Sequence, residues 1–276
     1  MIQLKNLTFG YRKNQMLFNN LDLELQAGSI YGLFGMNGAG KTTLLKHIAG
    51  LLFARQGQCL IFEKDISNRQ PELLANLYVI PEEFVLPPVD FSTFVALHAP
   101  FYPRFDYTLL EKYLNEFEIS NGKKLTAYSY GQKKKFLIAF GLATQTNVLL
   151  MDEPTNGLDI PSKSQFRRIM AAASTEDQCI VISTHQVRDL ASIIDHVIVL
   201  DNGKIIFKET TMDIASRLAF GKIKEGTADD VLYAEDVLGG KAAIRKNTGH
   251  DTEVDLELLF NGIIKNSEVI NQAIKS

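Results

Sequence analysis

The sequence predicts an α/β fold organised around a phosphate-binding loop, and three stretches carry that prediction. The first is Gly35-Met36-Asn37-Gly38-Ala39-Gly40-Lys41-Thr42-Thr43, a complete G-x-x-x-x-G-K-[ST] match between the apolar run Ser29–Phe34 and the helix-like run Leu44–Gly50. The second is Val148-Leu149-Leu150-Met151, a buried-strand pattern that ends on Asp152-Glu153. The third, Cys179-Ile180-Val181-Ile182-Ser183-Thr184-His185, repeats the plan: an apolar strand, then a polar tip. Apolar strands with polar residues at their C-terminal ends are how α/β folds deliver reactive groups to one edge of a sheet.

The loop's chemistry follows from its residues. Its glycines let backbone N–H groups face inward and a phosphate chain approach closely, and the helix that starts near Lys41 adds its positive dipole end. Asn37, Gly38, Ala39, Gly40, Lys41, Thr42 and Thr43 are therefore the candidate nucleotide contacts. Lys41 is placed to reach the β- and γ-phosphates, and the Thr42 hydroxyl to sit on Mg²⁺. The competing reading, a glycine-rich turn without a ligand, does not account for the flanking strand and helix. Downstream of such a loop, the first acid of a strand-end pair holds Mg²⁺ and the second polarises a water, which singles out Asp152 and Glu153. A lone histidine is usually structural. His185 emerges where those carboxylates emerge, so it is placed near the γ-phosphate.

The remaining elements follow in chain order. Ile2–Phe9 and Leu21–Leu25 alternate apolar and polar residues and read as half-buried antiparallel strands. Tyr11 lies between them, either as a packed strand-end aromatic or as a platform for a base. Gly57–Phe62 reads as a strand, Gln70–Asn76 as a helix, and Leu77–Ile80 as a strand stopped by Pro81, with Glu82 and Glu83 at its end. Residues from 84 to about 127 are rich in aromatics and prolines. Apolar residues at helical spacing in Thr108–Phe117 predict a helical segment with its own small core rather than a base-stacking surface. Ser129 is placed to cap a helix running through Phe136, Leu137, Phe140 and Leu142. The lysines 133–135 read as a solvated face. A helix is expected over 162–173 and another over 186–195. Val197–Phe207, with Asn202-Gly203 at its centre, has the pattern of a tight hairpin. Beyond about 210, the chain predicts a helix over Thr211–Phe220, short strands at Val231–Tyr233 and Ala242–Ile244, and a last helix capped near Thr252–Asp255.

Composition excludes several classes. A net charge of −3 on 276 residues gives no electrostatic footprint for nucleic acid. No run approaches the roughly 18 to 20 apolar residues of a membrane span, and the N-terminus lacks a signal-peptide core. The two cysteines, Cys59 and Cys179, lie in strand-like runs and are expected as buried free thiols of a reducing cytoplasm.

As an ordered set, the phosphate loop, Ser129-x-Gly131-Gln132, Asp152-Glu153-Pro154-Thr155, Gly157-Leu158-Asp159 and His185 resemble the ATP-binding subunit of ABC transporters. The resemblance spans residues 1 to about 210. It implies a P-loop NTPase (RecA-like) core with an N-terminal antiparallel β subdomain, a helical subdomain over about 84–145, and a small α+β extension over 211–276. It also implies roles: Tyr11 stacks on adenine, Asp152 is the magnesium acid, Glu153 the catalytic base, Asn156–Asp159 the loop that contacts a second subunit, and His185 the switch histidine. Ser129, Gly131 and Gln132 would meet the ATP of an opposing cassette. The implied partners are membrane-spanning permease subunits, on which the helical subdomain docks, and a dimer mate, identical or paralogous. The implied place is the cytoplasmic face of the cell membrane.

Two positions depart from the family pattern. Tyr130 stands where the signature usually has glycine, which requires a negative φ. Glu82 stands at the usual glutamine; it retains the capacity to meet Mg²⁺ through water but, ionised, donates no hydrogen bond. These departures and the tail are similar to bacterial exporter-type ATPases. A soluble ABC-type ATPase on ribosomes or DNA is the rival, against which stand the single set of motifs and the absence of heptads. A nucleotide-sensing cassette with little turnover is the third reading. The tail is expected to brace the dimer, regulate, or cover the core.

Overall fold

The computed structural model describes residues 1–223, 230–249 and 252–275. Thirteen strands among them form three sheets. The first strands are β1 (Ile2–Phe9), β2 (Phe18–Leu25) and β3 (Ser29–Phe34), followed by helix α1 (Lys41–Ile48). Next come β4 (Gln56–Ile61), β5 (Lys64–Asp65), α2 (Pro71–Leu74) and β6 (Leu77–Ile80). Three helices follow, α3 (Phe91–His98), α4 (Tyr107–Glu116) and α5 (Tyr130–Ala143). The chain then alternates through β7 (Val148–Asp152), α6 (Ile160–Ala173), β8 (Cys179–Thr184), β9 (His196–Asp201) and β10 (Lys204–Thr210). It closes with α7 (Thr211–Arg217), β11 (Leu218–Ile223), β12 (Val231–Val237), β13 (Gly240–Lys246) and α8 (Leu256–Lys275).

The central sheet runs β10-β9-β3-β8-β7-β6, parallel except for β10. Its inner strands β9, β3, β8 and β7 are apolar on both faces because both faces are covered. On one side Leu44, Leu45 and Ile48 of α1 fill the space between Leu33, Leu150 and Val181 of this sheet and Leu4, Leu23 and Ile61 of the antiparallel sheet β2-β1-β4-β5. Each such buried side chain contributes about 1.5–3 kcal/mol. On the other side Phe34, Met151 and Ile182 meet Phe136 and Phe140 of α5, Phe166 of α6 and Leu259 of α8.

Much of the aromatic stretch is buried, but it joins the main core instead of forming a small core of its own: Phe91, Phe94, Tyr113 and Phe117 share one cluster with Phe34 and Met151, while Phe101 and Tyr107 stay exposed. Phe91 stacks on Tyr128 and Phe136 with ring centroids 4.7 and 4.3 Å apart. Both cysteines are free and buried, and burial pushes their thiols up to about 12. The 197–207 hairpin forms, with Asn202 and Gly203 at φ 45° and 73°, the left-handed pair that a two-residue turn needs.

Three further expectations change. Residues 186–195 do not form an α-helix: only Val187–Leu190 makes a 3₁₀ turn. Val187, Leu190 and Ile193 are all buried at a spacing of three, which suits the tighter helix. The helix from Thr211 stops at Arg217, and Leu218–Ile223 becomes a strand because it pairs antiparallel with β13. The lysine run is not a solvated face, since Lys134 is fully buried. Helix α5 packs on almost every side, leaving no polar face for three lysines.

The C-terminal segment packs on its own chain. Asp255 Oδ1 accepts from the N–H groups of Glu257 and Leu258 to open α8. The helix kinks at Asn266. Its Leu258, Leu259 and Ile263 join the main core with Ile244 of β13 and Phe207 of β10.

Candidate functional site

Strand order builds the site. The phosphate loop leaves β3, His185 follows β8, and Asp152 ends β7 with Glu153 directly after it; these three parallel strands are neighbours with β8 in the middle. Register brings their ends level: Phe34 pairs with Thr184, and Asp152 with Ser183.

Thr42 Oγ1 donates to Asp152 Oδ2 at 2.7 Å, and Ser183 Oγ donates to Asp152 Oδ1. Glu153 Oε2 accepts from Thr184 Oγ1 at 2.9 Å, while Oε1 accepts from His185 N–H at 3.0 Å and lies 2.8 Å from His185 Nδ1. Lys41 Nζ donates to Gly35 O at 2.9 Å and stands 3.8 Å from Glu153 Oε1. Burial lowers the proton affinity of the Lys41 amine, against the opposing pull of Glu153, Asp152 and Glu82. Glu153 holds a left-handed backbone with φ 46°, a conformation a non-glycine residue rarely adopts without surrounding support.

Gly38 and Gly40 have φ 82° and 110°. With Thr42 and Thr43 they line a cleft of about 520 Å³ shared with Tyr11, Arg12 and Leu17. Tyr11 is 64% exposed; its ring touches Phe9 edge-on, and its hydroxyl shares a hydrogen bond of 3.0 Å with Thr43 Oγ1. Arg55 braces the Tyr11 loop, donating to Gly10 O at 2.8 Å and Lys13 O at 3.0 Å. Asn37 is exposed at the loop tip, and Ala39 is buried beneath it.

Other candidate residues lie outside this cluster. Ser129 and Gln132 satisfy each other as a capping box at the start of α5. Gly131 lies under the loop of Gly157, where an added Cβ would stand 3.2 Å from the Gly157 carbonyl. Tyr130 begins α5 and is absent from the positive-φ residues, so the side chain is accommodated. Its hydroxyl donates to Glu82 O at 2.5 Å, and the Glu82 carboxylate accepts from Asn156 Nδ2 at 3.2 Å. Glu82 is thus turned toward Asn156, close enough to act on the Lys41 charge.

Sequence reasoning missed Ser183, Thr184 and Lys134. The two hydroxyls were signalled by polar residues at the end of an apolar strand; burial of Lys134 had no local signal.

Donor chemistry at Thr42 and Asp152 fits Mg²⁺. The groups are two adjacent hard oxygen donors, a hydroxyl and a carboxylate. That suits an ion which takes one or two protein ligands and completes its shell with phosphate and water.

The sequence and the fold match known proteins. The family model described as "ABC transporter" matches residues 18–156. The ABC transporter ATP-binding protein YtrB of Bacillus subtilis is 29% identical over 207 residues, covering 74% of this chain and 70% of that protein. The methionine import ATP-binding protein MetN of Carboxydothermus hydrogenoformans is 30% identical over 295 aligned residues, covering 100% of this chain and 85% of its own length. A solved "ATP binding subunit of ABC transporter" superposes with a TM-score of 0.70 at 26% identity, covering 78% of this chain and 91% of that one. The chain belongs to the ABC transporter family and is of its ATP-binding subunit class. Among the described residues no helix is long and apolar enough to cross a membrane.

Proposed function

We propose that this chain hydrolyses ATP to drive transport, in the export direction, through separately encoded membrane subunits. The observation that carries this reading is the convergence of Lys41, Asp152, Glu153 and His185 at the ends of three adjacent strands. In it, Tyr11 receives the adenine, the loop amides and Lys41 hold the phosphates, and Thr42 and Asp152 would hold Mg²⁺, which would supply charge neutralisation to the phosphates. Glu153 accepts the proton of the attacking water. His185 Nδ1 lies 2.8 Å from Glu153 Oε1; with both ring nitrogens protonated, Nδ1–H donates to Glu153 and Nε2–H to the γ-phosphate. Glu82 would meet the ion through water.

The second half of each ATP site comes from another cassette, identical or paralogous, in a head-to-tail dimer. Support comes from Ser129, Gly131 and Gln132, which open α5 outside the Lys41 cluster; a capped helix start is an anion site. Binding closes the dimer and hydrolysis reopens it. Residues 1–210 act as the cassette, with 84–145 docking on the membrane subunits; exposed Leu97, Phe101 and Tyr107 supply apolar surface there. This places the chain on the cytoplasmic face of the membrane. The export direction rests on the likeness of Glu82, Tyr130 and the tail to exporter-type cassettes, since the relatives include one named for import.

The test is Glu153→Gln. The variant is expected to bind MgATP, lose at least about 100-fold in turnover and accumulate as an ATP-loaded dimer in sedimentation. Full steady-state ATPase activity would remove Glu153 from its role.

A further inference from the structure

Lys134 is the one lysine of the described residues with no exposed surface. Its Nζ donates to the backbone carbonyl of Glu153 at 2.8 Å, a carbonyl that also accepts from Asn156 N–H at 3.2 Å. Above the ammonium lie two rings, Tyr130 and Phe84, with centroids 5.4 and 6.0 Å away. They stack on each other at 5.1 Å with 16° between their planes. Burial lowers the proton affinity of this amine, and Glu82, Asp152 and Glu153 oppose that effect.

Packing alone does not call for an ammonium here. A buried charge costs several kcal/mol unless it is paired and hydrogen-bonded, and an apolar chain of similar length would fill the same space. What the ammonium adds is a donor aimed at one backbone atom. That atom belongs to the residue held at φ 46°. A left-handed glutamate persists only where its surroundings over-determine it. The turn bond from Asn156 supplies one constraint, and Lys134 supplies the other from a different element.

We propose that Lys134 is a positioning residue for ATP hydrolysis: by pinning the Glu153 carbonyl, it fixes the backbone that aims the Glu153 carboxylate at the attacking water. This rests on the assignment of Glu153 as base. Tyr130 and Phe84 keep water off the ammonium, so the tyrosine that replaces the usual signature glycine serves this same arrangement.

The experiment is Lys134→Met in the full chain, with steady-state ATPase, MgATP binding by titration, and thermal unfolding measured together. A misplacement of about 1 Å costs on the order of 100-fold in rate. The expected result is a fall in kcat of roughly 10- to 100-fold, with MgATP Kd within about twofold of the parent and an unfolding midpoint no lower. On a Glu153→Gln background the same change should produce no further loss in single-turnover rate. Lys134→Gln keeps an N–H donor without the charge and should recover part of the rate. Should the Met variant not fold, the Gln variant carries the same split between kcat and Kd. Parental turnover in Lys134→Met, equal falls in kcat and affinity, or a multiplicative loss in the double variant would overturn the proposal. Those outcomes alongside an inactive Glu153→Gln leave the base assignment standing; an active Glu153→Gln overturns that assignment itself.

Discussion

His47 sits on the inner face of α1, one helical stretch behind the phosphate loop, and is 1% exposed. Its ring meets Phe9 edge-on at 4.5 Å and Phe18 at 6.1 Å, and its Nε2 has no hydrogen-bond partner. Burial pushes the imidazole down from 6.5 to about 4, against a smaller pull from the backbone of Leu52. The folded chain therefore refuses a proton that the unfolded chain accepts. Above pH 6.5 the group is neutral in both states and contributes nothing to the pH dependence. As pH falls from 6.5 toward 4, stability drops by up to about 1.4 kcal/mol per pH unit, and below 4 the loss stops growing. Between pH 7 and pH 5 this residue alone should remove about 2 kcal/mol. His47→Leu suits the apolar surroundings and removes the unpartnered nitrogen. Urea unfolding of parent and variant at both pH values isolates the term, since every other titrating group is common to both. The variant should match or exceed the parent at pH 7 and lose about 2 kcal/mol less on going to pH 5. Equal losses in the two proteins would refute the reasoning.

Two further outcomes follow from the same geometry. Lys41→Ala removes the amine that reaches the phosphates, so calorimetric titration should show ATP affinity lower by roughly 10- to 100-fold, as for a charge-assisted bond of about 1.5–3 kcal/mol; unchanged affinity would contradict the site. Ile263→Ala, at a fully buried position of α8, should cost about 2–5 kcal/mol. If the C-terminal segment shares the cassette's core, that loss appears in a single cooperative transition, whereas a separate early transition would show the segment folding on its own.

Much of the site was legible locally. A glycine loop before a helix, an apolar run ending on Asp152-Glu153 and another ending on His185 each state their structure within about ten residues, because burial on both faces of a strand and exposure at its tip are written in consecutive side chains. The Asn202-Gly203 turn is legible for the same reason: its two left-handed residues are chosen by local sterics.

What the sequence determined by itself, then, is the set of chemical groups and the element that presents each. Tertiary structure alone decided their neighbours. Nothing local says that β8 lies between β3 and β7, yet that order sets Thr184 against Glu153 and Ser183 against Asp152. Nothing local says that Leu218–Ile223 pairs with β13 rather than continuing a helix, or that the middle of three lysines is enclosed under Tyr130 and Phe84. Periodicity along one segment reports which of its faces is buried. The partner that buries it comes from a distant part of the chain, and only the assembled sheet brings that partner into reach.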